Sequence, residues 1–343
     1  MRLFLCDYQE GAHPKIMEAL MSTNMEQTPG YGMDHHCENA RALIKKAVGR
    51  EDCDVHFLVG GTQTNTIVIK SALRPYQGVI AASTGHINVH ETGAIEATGH
   101  KVIALPGKDG KLSAGQIDEY VKNHFADATR EHIVMPGMAY ISFPTELGTL
   151  YSLKELKDIY RACRENGIYL FIDGARLGYG LMSPVCDLTL QDIADNCDVF
   201  YIGGTKVGAL FGEAVVILND GLKKDFRYLI KQGGGMLAKG RLLGIQFETL
   251  FTDGLYFECA RSAIRTAGLL REAFASRGYG FYADSPTNQQ FPILPDEVYD
   301  RVKDICEFWA KPSEGMNAVR FCTSWATDDA AIEELTKILD GKN

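Results

Sequence analysis

Short apolar runs separated by longer amphipathic stretches recur along most of this chain, and no other feature restricts the possible folds as much. Residues 55–59, 79–82, 101–105, 139–143, 169–172, 199–202 and 214–218 read as strands, with helical patterns such as 113–123 and 153–166 between them. A strand that returns to its sheet through a helix makes a crossover connection. The sequence therefore predicts an α/β fold whose mostly parallel sheet is covered by helices on both faces. Ser152, with Glu155 three residues on, forms a capping box, and Gly167 closes the same helix. From about Asp220 the pattern turns helical, with long candidates over 240–250 and 255–277, and a strand–helix–strand–helix tail runs from 279 to 339. With 343 residues the chain accommodates one large domain and a smaller one. We divide it into 1–252 and a smaller α/β C-terminal domain, 253–343.

Charge and cysteine usage exclude several classes. The chain carries 35 basic and 44 acidic residues, a net −9, and the basic ones are scattered. No basic face is present to neutralise a nucleic-acid backbone, so no nucleic-acid partner is expected. The opening Met1-Arg2-Leu3-Phe4-Leu5-Cys6 reaches Asp7 before building a signal-peptide core, and no stretch approaches the ~20 apolar residues that span a bilayer. A cytoplasmic protein with no membrane partner is expected. Nine cysteines without a Cys-x-x-Cys pair argue against a disulfide framework and a zinc ribbon.

In open α/β sheets ligands bind beyond the carboxyl ends of the strands. Four such ends carry unusual residues. Gly60-Gly61-Thr62 follows the first strand and opens a helix, where free N–H groups suit an anion, although a tight turn with a helix cap is the bland alternative. Ser83-Thr84-Gly85-His86-Ile87-Asn88-Val89-His90-Glu91 places two histidines at i and i+4, which raises zinc, but the metalloprotease motif needs its acid between them. His86 could instead stack on an aromatic cofactor; for His90 a surface histidine is the better reading. Asp173 follows a buried apolar strand, a costly place for an acid unless something pairs with it, and Arg176 beside it suits a carboxylate. Lys206 follows a buried strand and Gly203-Gly204, where loss of its proton would make it a nucleophile. An anion cradle, a flat imidazole, an acid and an amine are together the parts that pyridoxal 5'-phosphate requires.

With these motifs in this order, the chain resembles the threonine aldolase and β-eliminating lyase family, closest to the low-specificity L-threonine and phenylserine aldolases. The resemblance runs from about Cys6 to Leu339. It implies the aspartate-aminotransferase-like fold, a pyridoxal-phosphate-dependent transferase architecture of fold type I. It matches Gly60, Gly61 and Thr62 to the phosphate turn, His86 to the histidine on the pyridine ring, Asp173 to the acid at the ring nitrogen and Lys206 to the Schiff-base lysine. Arg176 and Arg320 match the arginines on the substrate side. Gly30-Tyr31-Gly32 resembles a tyrosine loop offered to a neighbouring subunit, which implies a homodimer or homotetramer with active sites at the interface.

Three positions depart from the family pattern. Cys6 stands where a serine is usual before the early aspartate, on the substrate side. Phe143-Pro144-Thr145-Glu146-Leu147 replaces an Asn-Thr-His-Asn stretch that brings a second histidine to the substrate. Leu237 replaces a frequent arginine, with Lys239 and Arg241 close by. The implied activity is aldol cleavage of an L-β-hydroxy-α-amino acid to glycine and an aldehyde, with Lys206, His86 and Asp173 catalytic and His86, directly or through water, taking the hydroxyl proton. The alternatives are β-elimination with the same cofactor, giving pyruvate and ammonia, and a metal hydrolase built on His86, His90 and Glu91. No metal is expected.

Overall fold

The computed structural model describes residues 2–342. Its main sheet has seven strands: β1 (Asp54–Leu58), β2 (Gln77–Ala82), β3 (Val102–Leu105), β4 (Met135–Ser142), β5 (Tyr169–Asp173), β6 (Val199–Gly203) and β7 (Glu213–Ile217). They lie in the order β1-β7-β6-β5-β4-β2-β3. Neighbouring pairs from β3 through β6 are parallel, and β7 alone runs against both its neighbours. The strands read as nearly continuous apolar runs because both faces are covered. Leu170, Ile172, Phe200 and Ile202 point into one helix-covered core, while Phe171, Val199 and Tyr201 point into the other, following the two-residue period of a strand.

Helices Ala114–Ala126 and Leu153–Glu165 both begin with complete capping boxes, Ser113 with Gln116 and Ser152 with Glu155. Gly167, at φ +65°, follows the C-cap Asn166 of the second helix in the left-handed region that glycine tolerates best. Chain order leaves β2 towards β3 on one side and runs from β4 to β6 on the other, so the topological switch falls between β2 and β4. A ligand crevice is expected beyond the carboxyl ends of those strands.

The sequence did not anticipate two features. The first is the reversed β7, reached from β6 by a tight loop in which Gly204 N–H donates to the Gly212 carbonyl at 3.0 Å. Gly212 sits at φ +121°, open in practice only to glycine. The second lies in the C-terminal region, which carries more strands than the tail pattern predicted. Strands β8 (Gln289–Gln290), β9 (Ile293–Pro295), β10 (Glu307–Ser313) and β11 (Met316–Cys322) form a small antiparallel sheet around β11. A two-residue Glu314–Gly315 turn, with Gly315 at φ +74°, joins β10 to β11. Phe4 packs into the core of this sheet with Leu270, Phe274, Val319, Phe321 and Leu335. Among the described residues no helix is long and apolar enough to cross a membrane.

The carboxyl ends of β5 and β6 approach so closely that side chains are excluded. A Cβ on Gly174 would lie 1.9 Å from the Tyr201 carbonyl oxygen, and one on Gly203 would lie 2.3 Å from that of Ala175. Both obstacles are backbone atoms. Gly203→Ala is therefore expected to destabilise the fold by at least the ~1–3 kcal/mol typical of overpacking. Gly268→Ala, in the exposed middle of helix Leu255–Ala275 with nothing within 4 Å, is expected to stabilise it by about 1 kcal/mol. Urea midpoints of the two variants check both signs.

Candidate active site

Three of the four strand ends, with an arginine from β11, converge on one cavity of about 270 Å³. His86, Arg176, Lys206 and Arg320 line it. So do Glu146, from the stretch that replaces the family's second histidine, His90, and Tyr8, Glu307 and Trp309, the last three unmarked by the sequence.

Lys206 follows β6 on the loop to β7, with its carbonyl accepting from the Tyr179 hydroxyl. Burial and the positive charge of Arg176 pull its ammonium below the ordinary lysine range, against Asp7, Asp173 and Glu213, which favour the charged form. A lysine of lowered pKa yields more of the neutral, nucleophilic amine.

Asp173, at the end of β5, is a buried carboxylate with a full set of donors. Oδ1 accepts from the Tyr201 hydroxyl at 2.5 Å and the Ala175 N–H at 3.0 Å; Oδ2 accepts from the Tyr140 hydroxyl at 2.5 Å and Asn65 Nδ2 at 3.2 Å. Burial pushes its pKa up, but the His86 charge and these hydrogen bonds outweigh it and hold the acid below its usual range. Asn65 Nδ2 also donates to Glu91 Oε1 at 2.7 Å, and the same oxygen meets His86 Nδ1 at 2.8 Å. One chain of contacts thus links Asp173 to His86. Asn65 Oδ1 and Glu91 Oε2, both buried, find no hydrogen-bond partner among the described residues.

Gly60 caps helix Gly61–Ala72 with no side chain covering the helix start, which leaves its first N–H groups to an anion. A Cβ on Gly61 would stand 3.2 Å from the Tyr201 hydroxyl, so this turn lies against one of Asp173's donors. Thr62 is exposed on its first turn. An open helix start, two unsatisfied buried acceptors, an ionised acid and an amine of lowered pKa fit the phosphate, ring and aldehyde of pyridoxal phosphate.

The arginines are already engaged. Arg176 forms a fork on Asp7, Nε to Oδ2 at 2.7 Å and Nη2 to Oδ1 at 3.0 Å, and Asn288 donates to the same acid at 2.9 Å. Burial raises the Asp7 carboxyl, but Arg176, Lys206 and these hydrogen bonds bring it down to about 2. Arg320 pairs with Glu307 and donates to Gln289 Oε1 at 3.2 Å, while its buried Nε finds no partner among the described residues.

Other expected residues lie elsewhere. Tyr31, with φ 61°, is exposed and lines a separate small cavity beside Arg41 and Arg227. Cys6 is partly buried and does not line the Lys206 cavity. Arg241 is taken up by the carbonyls of Thr23 and Glu26. Among the described residues, the group whose ligand atoms converge as a metal site requires is Glu26, His35 and His36, not His86, His90 and Glu91. The ligand atoms of His86, His90 and Glu91 are not brought together in this way.

The beta-eliminating lyase family model matches residues 4–289. A low-specificity L-threonine aldolase from a Pseudomonas species is 29% identical over 342 residues, covering 97% of this chain and 95% of that one. The solved structure of threonine aldolase from Leishmania major matches with a TM-score of 0.96 and 46% identity over 99% of both chains. Cystalysin from Treponema denticola, solved with pyridoxal 5'-phosphate, matches over 99% of this chain and 90% of that one with a TM-score of 0.72. At 16% identity, that last likeness is one of fold.

The Asp7–Arg176 pair yields a test. Because the folded-state pKa of Asp7 is depressed from 3.8 to about 2, its contribution is complete above pH ~4 and is lost as the pH falls through 2, roughly 2–3 kcal/mol in all. Asp7→Asn is expected to be less stable than wild type at pH 7. The gap between their urea midpoints should narrow as the pH is lowered from about 5 to about 3.

Proposed function

The chain belongs to the β-eliminating lyase family, and from that premise we infer that it splits L-β-hydroxy-α-amino acids of the threonine, allo-threonine or phenylserine type into glycine and an aldehyde. It is a pyridoxal-phosphate-dependent lyase of fold type I. The observation that carries the reading is Lys206, an amine of lowered pKa sharing one cavity with Arg176 and Arg320 and electrostatically coupled to Asp173.

Lys206 would hold the cofactor's aldehyde, Asp173 its ring nitrogen, His86 its ring face, and Gly60, Gly61 and Thr62 its phosphate. When bound, pyridoxal phosphate supplies an electron sink for the charge left at Cα as the Cα–Cβ bond breaks. Asp173, kept ionised against burial by the His86 charge and by hydrogen bonds from Tyr140, Tyr201 and the Ala175 N–H, favours a proton on the group it faces. Glu91 fixes the Nδ1 side of His86 and so the orientation of the ring. Arg176 is locked by Asp7 in a fork that still leaves Nη1 for a substrate carboxylate. Arg320, which lines the same cavity, is the second cation for that carboxylate, in competition with Glu307.

A homodimer or homotetramer completes the proposal. Tyr31 is an exposed aromatic held in a left-handed conformation outside its own chain's Lys206 cavity, which supports a role at a neighbouring subunit's site, with Cys6 a lesser substrate-side neighbour. Nine free cysteines suit a reducing, cytoplasmic compartment.

Lys206→Ala is expected to abolish both turnover and the cofactor absorbance band. The wild-type enzyme should release glycine and the matching aldehyde from L-threonine, L-allo-threonine or phenylserine. Pyruvate as the main product, from these or from L-serine, would contradict aldol cleavage and favour β-elimination.

A further inference from the structure

Two acids line the Lys206 cavity, and they differ in what holds them. Glu307 is neutralised by the guanidinium of Arg320. Glu146 faces no cation of that kind. Its Oε1 accepts from the Ser142 hydroxyl at 2.6 Å and from the His86 backbone N–H at 2.9 Å, its own backbone N–H also donates to the carboxylate, and no other described residue donates to Oε2. The residue is only 9% exposed. It follows the end of β4 and is clamped to the residue that follows β2, so it stands at the topological switch, where a ligand is expected to meet the sheet. Oε2 is not among the buried polar atoms that lack a partner, and Glu146 lines the cavity, so this oxygen is open to a ligand there.

We propose that Glu146 is the catalytic residue that takes the proton of the substrate's β-hydroxyl group, an inference that rests on the aldol reading above. The Cα–Cβ bond breaks with its electron pair remaining on Cα. The β-oxygen forms the aldehyde C=O, and its proton moves to Glu146 Oε2. After the aldehyde leaves, Glu146 returns that proton to solvent and Cα takes one to give glycine, so no oxidant or reductant is needed. Burial, with the Asp173 charge behind it, holds the Glu146 carboxyl above the usual range against the pull of the Ser142 hydrogen bond, which makes its carboxylate a better base than a surface glutamate. His86 has one ring nitrogen committed to Glu91 and its backbone N–H committed to Glu146. The two neighbours thereby divide the work, the imidazole on the cofactor ring and the carboxylate at the hydroxyl.

Glu146→Gln retains the size of the side chain and an oxygen for the His86 N–H and Ser142, but cannot accept the proton. In the holoenzyme, kcat for cleavage of L-threonine or phenylserine is expected to fall about 10²–10⁴-fold. Glycine binding, read from the change in cofactor absorbance, and exchange of the glycine Cα proton with D₂O, read by NMR, are expected to stay near wild type, because neither involves a β-hydroxyl. Glu146→Asp should recover part of the lost kcat. Cleavage that survives in Glu146→Gln overturns the proposal, and so does glycine exchange that falls in step with cleavage, which would mark a structural role. Pyruvate release by the wild-type enzyme is a separate result: it removes the aldol reading itself, and the proposal with it.

Discussion

A carboxylate at the buried end of a parallel strand is stable only if the surrounding structure supplies donors, and Asp173 receives one from each of four places. Tyr140 comes from β4, Tyr201 from β6, Asn65 from helix Gly61–Ala72, and the Ala175 N–H from the turn that follows. Satisfying this one acid therefore fixes the relative positions of the strands and of the helix whose uncapped start suits an anion. Gly174 and Gly203 allow the required approach, since any side chain there would strike backbone. Lys206 inherits its position from the same close contact, and its lowered pKa from the burial that results. Loss of the network would remove the geometry and the electrostatics together.

Two further pairs extend the network outward. Asn65 passes the constraint to Glu91 and so to His86, and the His86 backbone in turn holds Glu146. On the other wall, Asp7 is drawn in from the N-terminal segment to lock Arg176. The cavity is therefore bounded by charges of both signs: the cations Arg176 and Arg320, and the acid Glu146, which is paired with no cation. Such a distribution suits a zwitterionic substrate that must also give up a proton.

The sheet and the principal residues were legible from sequence because each leaves a local signal. Strand–helix alternation pointed to a mostly parallel sheet, Ser152 with Glu155 to a helix start, and glycines beside Asp173 and Lys206 to strand ends where function gathers. The missed features depend on contacts between distant residues. Tyr140 and Tyr201 look like ordinary strand aromatics, and only the packed sheet turns their hydroxyls towards Asp173. Asp7 and Arg176 are 169 positions apart, so no spacing could pair them. The reversal of β7 rests on Gly212, one glycine among 35. Glu146 was marked only as part of the stretch that departs from the family pattern; its hydrogen bonds to Ser142 and the His86 backbone appear only in the fold.

The bond between the cofactor and one lysine is what every other role in the site depends on. Borohydride reduction of the holoenzyme, followed by proteolysis and mass spectrometry, places the reduced phosphopyridoxyl group on a peptide. That group is expected on Lys206. Finding it on another lysine, or finding no labelled peptide from cofactor-saturated protein, would contradict this assignment.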